Sequence, residues 1–230
     1  MDKTFFNWSG GKDSAMALYQ MMETKGYEVN ALLTNISRDY ERISMHGVRK
    51  SLLLRQVENL KLKIPLHLLE LWEGMSMEDY SQLMETQLNE FKAKTIRQAV
   101  FGDIFLEDLR AYREVKLASV GMSGVFPLWG QDTRQLVEHF IELGFKAIVV
   151  CTNAKLLDES FCGRIIDNDF LNDLPANVDP CGENGEYHSF VFDGPIFDKA
   201  VDFTIGEKVL RDYGASNGDW DHQFWYLDLE

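Results

Sequence analysis

Apolar positions along this chain come in short runs separated by amphipathic stretches. The first run, Phe5-Phe6-Asn7-Trp8, predicts a strand. Behind it Ala15, Leu18 and Met22 recur at helical spacing and Gly26 supplies a stop, which predicts a helix over about 12–25. Residues 29–36 read as a buried strand, and the polar run 37–44 as a connection over the strand ends. Leu53, Val57 and Leu60 then make one helical stripe, Pro65 ends the connection, and Leu66-His67-Leu68-Leu69 follows as a strand in which His67 is a core residue with a partner. Residues 76–97 form a mostly polar amphipathic helix anchored by Tyr80, Leu83, Leu88 and Phe91, leading to the short strand Ala99-Val100-Phe101. In the next helix, over 106–120, Leu106, Leu109, Leu117 and Val120 define a stripe whose missing member is Arg113. An arginine there snorkels to the surface, is held by a buried carboxylate, or reaches a ligand phosphate.

Val125-Phe126-Pro127-Leu128-Trp129 reads as a further strand, and Asp132 with Gln135 starts a helix bearing Leu136, Val137, Phe140 and Ile141. Residues 147–152 are the clearest buried strand. The alternation of strand and helix up to residue 152 argues for an α/β fold: a doubly wound, mainly parallel sheet with helices on both faces. From 153 the texture changes. Residues 156–164 suggest a short helical piece, 167–179 are acidic and irregular, and 201–205 and 223–227 read as strands, so 153–230 is expected to be a smaller C-terminal α+β region with an antiparallel sheet.

The stretch between the first strand and first helix carries candidate chemistry: Ser9-Gly10-Gly11-Lys12-Asp13-Ser14. Adjacent glycines admit close approach of the backbone to a ligand, and the first N–H groups of the helix lack intrahelical acceptors. A phosphate suits such a place, with Lys12 as a point charge and Ser9 and Ser14 as hydroxyl donors. A Walker A loop needs four residues between its first glycine and Gly-Lys, and this one has none. It resembles instead the pyrophosphate loop (PP-loop) of enzymes that split ATP between the α and β phosphates. The second strand would end beside it, where backbone groups around Thr34 and Asn35 are candidates for adenine contact. His46-Gly47 opens the second helix, where a histidine serves as a cap, a packing residue or a site residue. Gly102-Asp103 would lie at the same sheet edge, with Asp103 a helix cap, a magnesium ligand or a partner for a ribose hydroxyl. Late in the chain, Asp179-Pro180-Cys181-Gly182-Glu183-Asn184-Gly185-Glu186-Tyr187-His188-Ser189 gathers acids, glycines and a histidine. Such a group orients an amine, holds a metal or exchanges protons, or else is a solvated turn.

Composition narrows the functions. Among 230 residues, 23 lysines and arginines face 37 aspartates and glutamates, a formal charge of −14 that opposes a broad nucleic-acid surface. The 45% hydrophobic and 26% charged content is that of a soluble globular protein, and neither a membrane-spanning run nor a signal-peptide pattern is present, so a cytoplasmic location is expected. Cys151, Cys162 and Cys181 are scattered, which points to free thiols. The oligomeric state is open, a homo-oligomer included.

With both polar stretches in view, the chain resembles the diphthine-ammonia ligase family over nearly its whole length. Members join an N-type ATP-pyrophosphatase domain with a Rossmann-like (HUP-type) sheet to a small C-terminal domain; some eukaryotic relatives carry further C-terminal domains, which this chain is expected to lack. The resemblance rests on Ser9 to Ser14, Met45-His46-Gly47-Val48-Arg49, Phe101-Gly102-Asp103-Ile104, the helix segment with Arg110 and Arg113, and above all Gly182-Glu183-Asn184-Gly185-Glu186-Tyr187-His188. It implies a PP-loop ATP-binding domain over 1–152, a substrate-binding region over 153–230, and AMP-forming amidation of a carboxylate with ammonia through an acyl-adenylate. The implied acceptor is diphthine, a modified histidine on a translation elongation factor. On that reading Lys12 and the loop amides steady the departing pyrophosphate, and magnesium bridges the phosphates through Asp13 or Asp103. Glu183 or Glu186 binds ammonium and takes its proton, and His188 assists. Two other functions share these features: a tRNA-modifying enzyme of the same superfamily, disfavoured by charge and unpaired cysteines, and an adenine-nucleotide sensor without turnover.

Overall fold

A computed structural model describes residues 1–214 and 223–230. In chain order the elements are β1 (Asp2–Asn7), α1 (Lys12–Glu23), β2 (Tyr27–Ser37), β3 (Arg42–Ile43), α2 (Lys50–Asn59), β4 (Leu66–Leu71), α3 (Met77–Ala93), β5 (Gln98–Val100), α4 (Glu107–Ser119), β6 (Ser123–Val125), α5 (Thr133–Glu142), β7 (Lys146–Asn153), α6 (Asn168–Asp173), β8 (Tyr187–Asp193), β9 (Ile205–Asp212) and β10 (Gln223–Leu229). β2 pairs in parallel with β1 and β4, and β5 in parallel with β1 and β6, giving the order β4-β2-β1-β5-β6 of a doubly wound half. The strand order reverses between β1 and β5, so the C-terminal end of β1 is the place where such a sheet opens a crevice.

Alternation along the strands sorts the core into two faces. Phe5, Leu33, Ala99 and Phe101 pack with Leu88 and Phe91 of α3 and Leu117 of α4, where the Phe5 and Phe91 rings stack at 4.6 Å. Their neighbours Phe6, Leu32, Ile36 and Val100 face the other way, onto Leu18 of α1, Leu53 of α2 and Val137 and Phe140 of α5. Phe190 and Val191 of β8 join that second core, so the C-terminal sheet shares its interior with the helices behind the glycine loop.

Several expected elements are placed differently. β7, read as the last strand of the alternating series, pairs antiparallel with β8 and β10 and is central to the second sheet, whose order is β8-β7-β10-β9. Its near-continuous burial comes from that central place rather than from a parallel sheet. The polar connection 37–44 contains β3, which pairs antiparallel with the end of β2 beyond the reach of β1. Residues 126–129 are not strand, 156–164 are turns rather than helix, and α6 lies within the stretch expected to be irregular. The strand expected over 201–205 begins only at Ile205. The three cysteines are free, as expected, and all three are buried. Among the described residues no helix is long and apolar enough to cross a membrane.

Candidate active site

The turn from β1 into α1 is held from three sides. Thr34 Oγ1 on β2 donates to the Trp8 carbonyl at 2.5 Å, Val191 N on β8 donates to the Gly10 carbonyl at 2.9 Å, and Lys12 N donates to Ser189 Oγ at 3.1 Å. Gly10 takes φ +77°, a region that favours glycine, and Gly11, the N-cap of α1, has no side chain to accept from the first helix amides, of which Lys12 N is taken by Ser189 Oγ. Ser9 Oγ and Ser14 Oγ lie 3.1 Å apart, and Gly11 N donates to Ser9 Oγ at 3.3 Å. The loop is therefore a preformed concavity of amides and hydroxyls at the positive end of a helix, where negative charge is favoured.

Lys12 is buried, with 3% of its surface exposed. Its Nζ donates to both oxygens of Asp13 at 2.7 Å and to the carbonyl of Cys181, and it stands 5.3 Å from the centre of the Tyr187 ring. Burial works against its charge, and the Asp13 carboxylate, with Tyr187 and Cys181 adding to it, outweighs that, so the ammonium is held well above its ordinary pKa. The contact also ties the loop to the turn that opens the segment 181–188.

That segment folds over the loop. Gly182 at φ +68° has no room for a side chain, since a Cβ would come within 2.9 Å of the Tyr187 carbonyl. Glu186, 2% exposed, accepts from Asp179 N at 3.0 Å, Asn184 N at 2.9 Å and Asn184 Nδ2 at 3.0 Å. Its carboxylate thus closes the turn on itself, while Glu183 faces the cavity. The resulting space, about 130 Å³, is lined by Ser9, Lys12, Asp13, His46, Glu183 and His188.

Glu183 accepts from Ile104 N at 2.8 Å. Burial pushes its pKa up to about 7; the Ile104 hydrogen bond resists this, and the nearby charge of Asp13 adds to it. His46 and His188 approach with ring centres 4.7 Å apart, and His46 Nδ1 meets the Ser189 carbonyl at 3.2 Å. Burial, with a smaller push from Lys12, holds His46 down at about 4, and burial, His46 and Lys12 hold His188 well below the ordinary imidazole range, so both imidazoles are neutral near pH 7. Each neutral ring keeps one nitrogen as a hydrogen-bond acceptor. His46 and Gly47 belong to the turn after β3, where Gly47 at φ +70° lies against the Tyr226 ring of β10.

Gly102 lets the end of β5 approach α1, because a Cβ there would meet the Asp13 backbone at 3.0 Å. Asp103 follows and pairs with Arg113 Nε at 2.8 Å, the guanidinium lying 4.3 Å from the Phe101 ring centre. The polar gap in the α4 stripe is thus filled by a buried carboxylate, one of the arrangements expected for Arg113. Burial raises the pKa of Asp103, Arg113 opposes this and Asp13 reinforces it. Arg113→Met is expected to destabilise the fold by about 1–3 kcal/mol, discounted for the partial exposure of the arginine, and adding Asp103→Asn should recover part of the loss. Urea denaturation of the four proteins in that cycle measures it.

Thr34 is a backbone anchor of the loop, as described, while Asn35 turns to the other face of β2. There it lines a pocket of about 330 Å³ with Asn7, Phe101, Tyr80, Tyr112 and Arg113. The structure thus brings Ser9, Gly11, Lys12, Asp13, His46, Glu183 and His188 to one cavity, with Gly10 and Ser14 in the turn behind it, sets Asp103 and Gly102 beside it, and leaves Asn35 in the adjoining pocket and Glu186 inside the turn. Gln56, Trp8 and Ser189 also hold the loop and were not among the expected site residues. Gln56 carried a signal of its own kind: like Arg113 it is a polar residue on an apolar stripe, three positions after Leu53.

Comparison with known proteins accords with this geometry. Residues 2–123 match the family model described as diphthamide synthase N-terminal domain, and residues 132–224 the one described as diphthamide synthase C-terminal domain. The diphthine–ammonia ligase of Mus musculus is 24% identical over 240 residues, which cover 90% of this chain and 85% of that protein. Those of Schizosaccharomyces pombe and Bos taurus are 27% and 26% identical over 114 and 152 residues, or 46% and 62% of this chain. The matches span 19% of the length of the first of these two and 54% of the second.

Proposed function

This chain belongs to the diphthamide synthase family, and from that premise we propose that it amidates the carboxylate of diphthine on a translation elongation factor, using ATP and ammonia and releasing AMP and pyrophosphate. The observation that carries the reading is the meeting of two loops around one cavity: the amide and hydroxyl cradle of Ser9 to Ser14, and the Glu183–His188 stretch that closes over it. A carboxylate is a poor electrophile. Transfer of its oxygen to the α phosphorus expels pyrophosphate and gives an acyl-adenylate; ammonia then attacks the acyl carbon and AMP leaves.

The loop amides, Ser9, Ser14 and Lys12 stabilise the charge that gathers on the leaving pyrophosphate, an electrostatic preorganisation that costs no rearrangement at the moment of reaction. The adjoining pocket of about 330 Å³, with aromatic walls and the amides of Asn7 and Asn35, suits the nucleoside end of ATP. Glu183 holds ammonium against the loop and takes its proton, so that ammonia is delivered uncharged. His46 and His188, neutral in the same cavity, add no repulsion to that cation and offer ring nitrogens as hydrogen-bond acceptors to the nucleophile. Glu186 acts by holding the shape of the turn.

Asp13 raises the pKa of both Asp103 and Glu183, and Asp103 adds to the rise at Glu183, so this edge is acidic and favours a cation. Among the described residues no cluster of three ligands stands ready for a metal. A magnesium ion fits as one carried in with the phosphates, Asp13 and Asp103 being the protein's share of its oxygens. When bound it neutralises phosphate charge. The N-terminal PP-loop part and the C-terminal substrate-binding part would act as one site, since Ser189 and Val191 hold the loop. An acceptor on the translation machinery makes the cytoplasm the proposed compartment.

The test is to incubate the protein with ATP, magnesium, ammonia and the diphthine-bearing factor and identify the nucleotide formed. AMP and pyrophosphate in equal amounts with amide are expected. ADP and orthophosphate, or no dependence on the acceptor, would end the proposal.

A further inference from the structure

Gln56 is fully buried on α2, and its amide is satisfied on both sides. Trp8 Nε1 donates to Gln56 Oε1 at 3.0 Å, while Gln56 Nε2 donates to the Gly10 carbonyl at 2.9 Å and to the Val191 carbonyl at 2.6 Å. An indole N–H can only donate, so Trp8 fixes which way round the amide sits and leaves both of its hydrogens for the two carbonyls. One side chain thereby ties the end of β1, the glycine loop and β8 together.

The Gly10 carbonyl is held twice, by Gln56 and by Val191 N at 2.9 Å. In a planar trans peptide the carbonyl and the following N–H point in opposite directions. Holding the Gly10 oxygen toward α2 and β8 therefore turns the Gly11 N–H to the opposite side, where it meets Ser9 Oγ at 3.3 Å on the cavity wall. Glycine at position 10 is part of the device, because a Cβ there would come within 2.6 Å of Gln56 Oε1.

We propose that Gln56, oriented by Trp8, is a positioning residue that aims the Gly11 amide at the pyrophosphate of the nucleotide. This rests on the anion-cradle reading of the loop given under Proposed function. Gln56→Leu keeps the apolar packing and removes the clamp. Gln56→Glu sets a carboxylate against two carbonyl oxygens, and on protonation regains one donor while still accepting from Trp8.

The experiment measures the affinity for inorganic pyrophosphate by calorimetry, with thermal melting of each protein alongside. Gln56→Leu is expected to bind pyrophosphate about tenfold or more weakly in its folded form, and Trp8→Phe to lie between it and the parent. Gln56→Glu should bind poorly at about pH 8 and recover toward the parent, measured at the same pH, by about pH 5. A folded Gln56→Leu protein with parental affinity, its only defect a lower melting temperature, would overturn the inference and leave the cradle reading intact. Should that variant not fold, Gln56→Glu decides: a weakness that does not lessen at low pH overturns it too. A parent protein that binds no pyrophosphate brings down the cradle reading, and this inference with it.

Discussion

Lys12→Ala is expected to slow pyrophosphate release by about a hundredfold or more while leaving the KM for ATP much less changed. The ammonium is placed by the fold rather than by the nucleotide: Asp13 and the Cys181 carbonyl hold it at the mouth of the loop, buried and charged. A charge fixed there contributes most when charge builds on the leaving group, which is a transition-state effect. Lys12→Arg should not rescue the rate, since a planar fork does not fit a site shaped for a compact ammonium. Rapid-quench measurement of pyrophosphate, with circular dichroism to verify folding, checks both variants. Parental turnover in Lys12→Ala would take the residue out of the mechanism.

Glu183→Gln should lower amide formation by about a hundredfold or more, and should also change its pH dependence. A carboxylate can take a proton only when ionised. With its pKa raised to about 7, Glu183 loses that capacity as pH falls through neutrality, so the parent rate should drop on the acid side with a midpoint near that value. The glutamine variant keeps the oxygen that accepts from Ile104 N and has nothing to titrate, so that limb should vanish from its profile. Its residual rate should climb with pH as the free ammonia fraction grows. Parallel profiles in the two proteins would assign the limb to another group, and the same assay run with excess ammonia shows whether delivery of the nucleophile was the step lost.

Much of the α/β part was readable because its periodicities are local. β1, α1, β2, α2 and α3 each carry enough apolar spacing to declare themselves, and the glycine pair between β1 and α1 has few uses other than close approach to an anion. What escaped was whatever depends on a distant partner. β7 looks like any buried strand, and only its pairing with β8 and β10 puts it in the second sheet. β3 has only Arg42 and Ile43, too few residues to show an alternation.

The same division holds at the site. Gly182 to His188 stood out as a cluster of acids, glycines and a histidine, yet the sequence could not say that Glu186 spends both oxygens on its own turn while Glu183 looks into the cavity. Arg113 and Gln56 each interrupt an apolar stripe. That interruption is visible along the chain, but their partners, Asp103 for the first and Trp8, Gly10 and Val191 for the second, are set by tertiary packing alone.

If the acceptor carboxylate is adenylated at this loop, one of its oxygens must pass to the nucleotide, and isotope transfer detects that. If the acceptor carboxylate is labelled with heavy oxygen and the amide formed in the presence of ATP and ammonia, the oxygen lost from the carboxylate must leave bound to the α phosphorus. One labelled oxygen in AMP is expected for each amide made, and none in pyrophosphate. Label appearing in orthophosphate alongside ADP, or amide formed with unlabelled AMP, would contradict it.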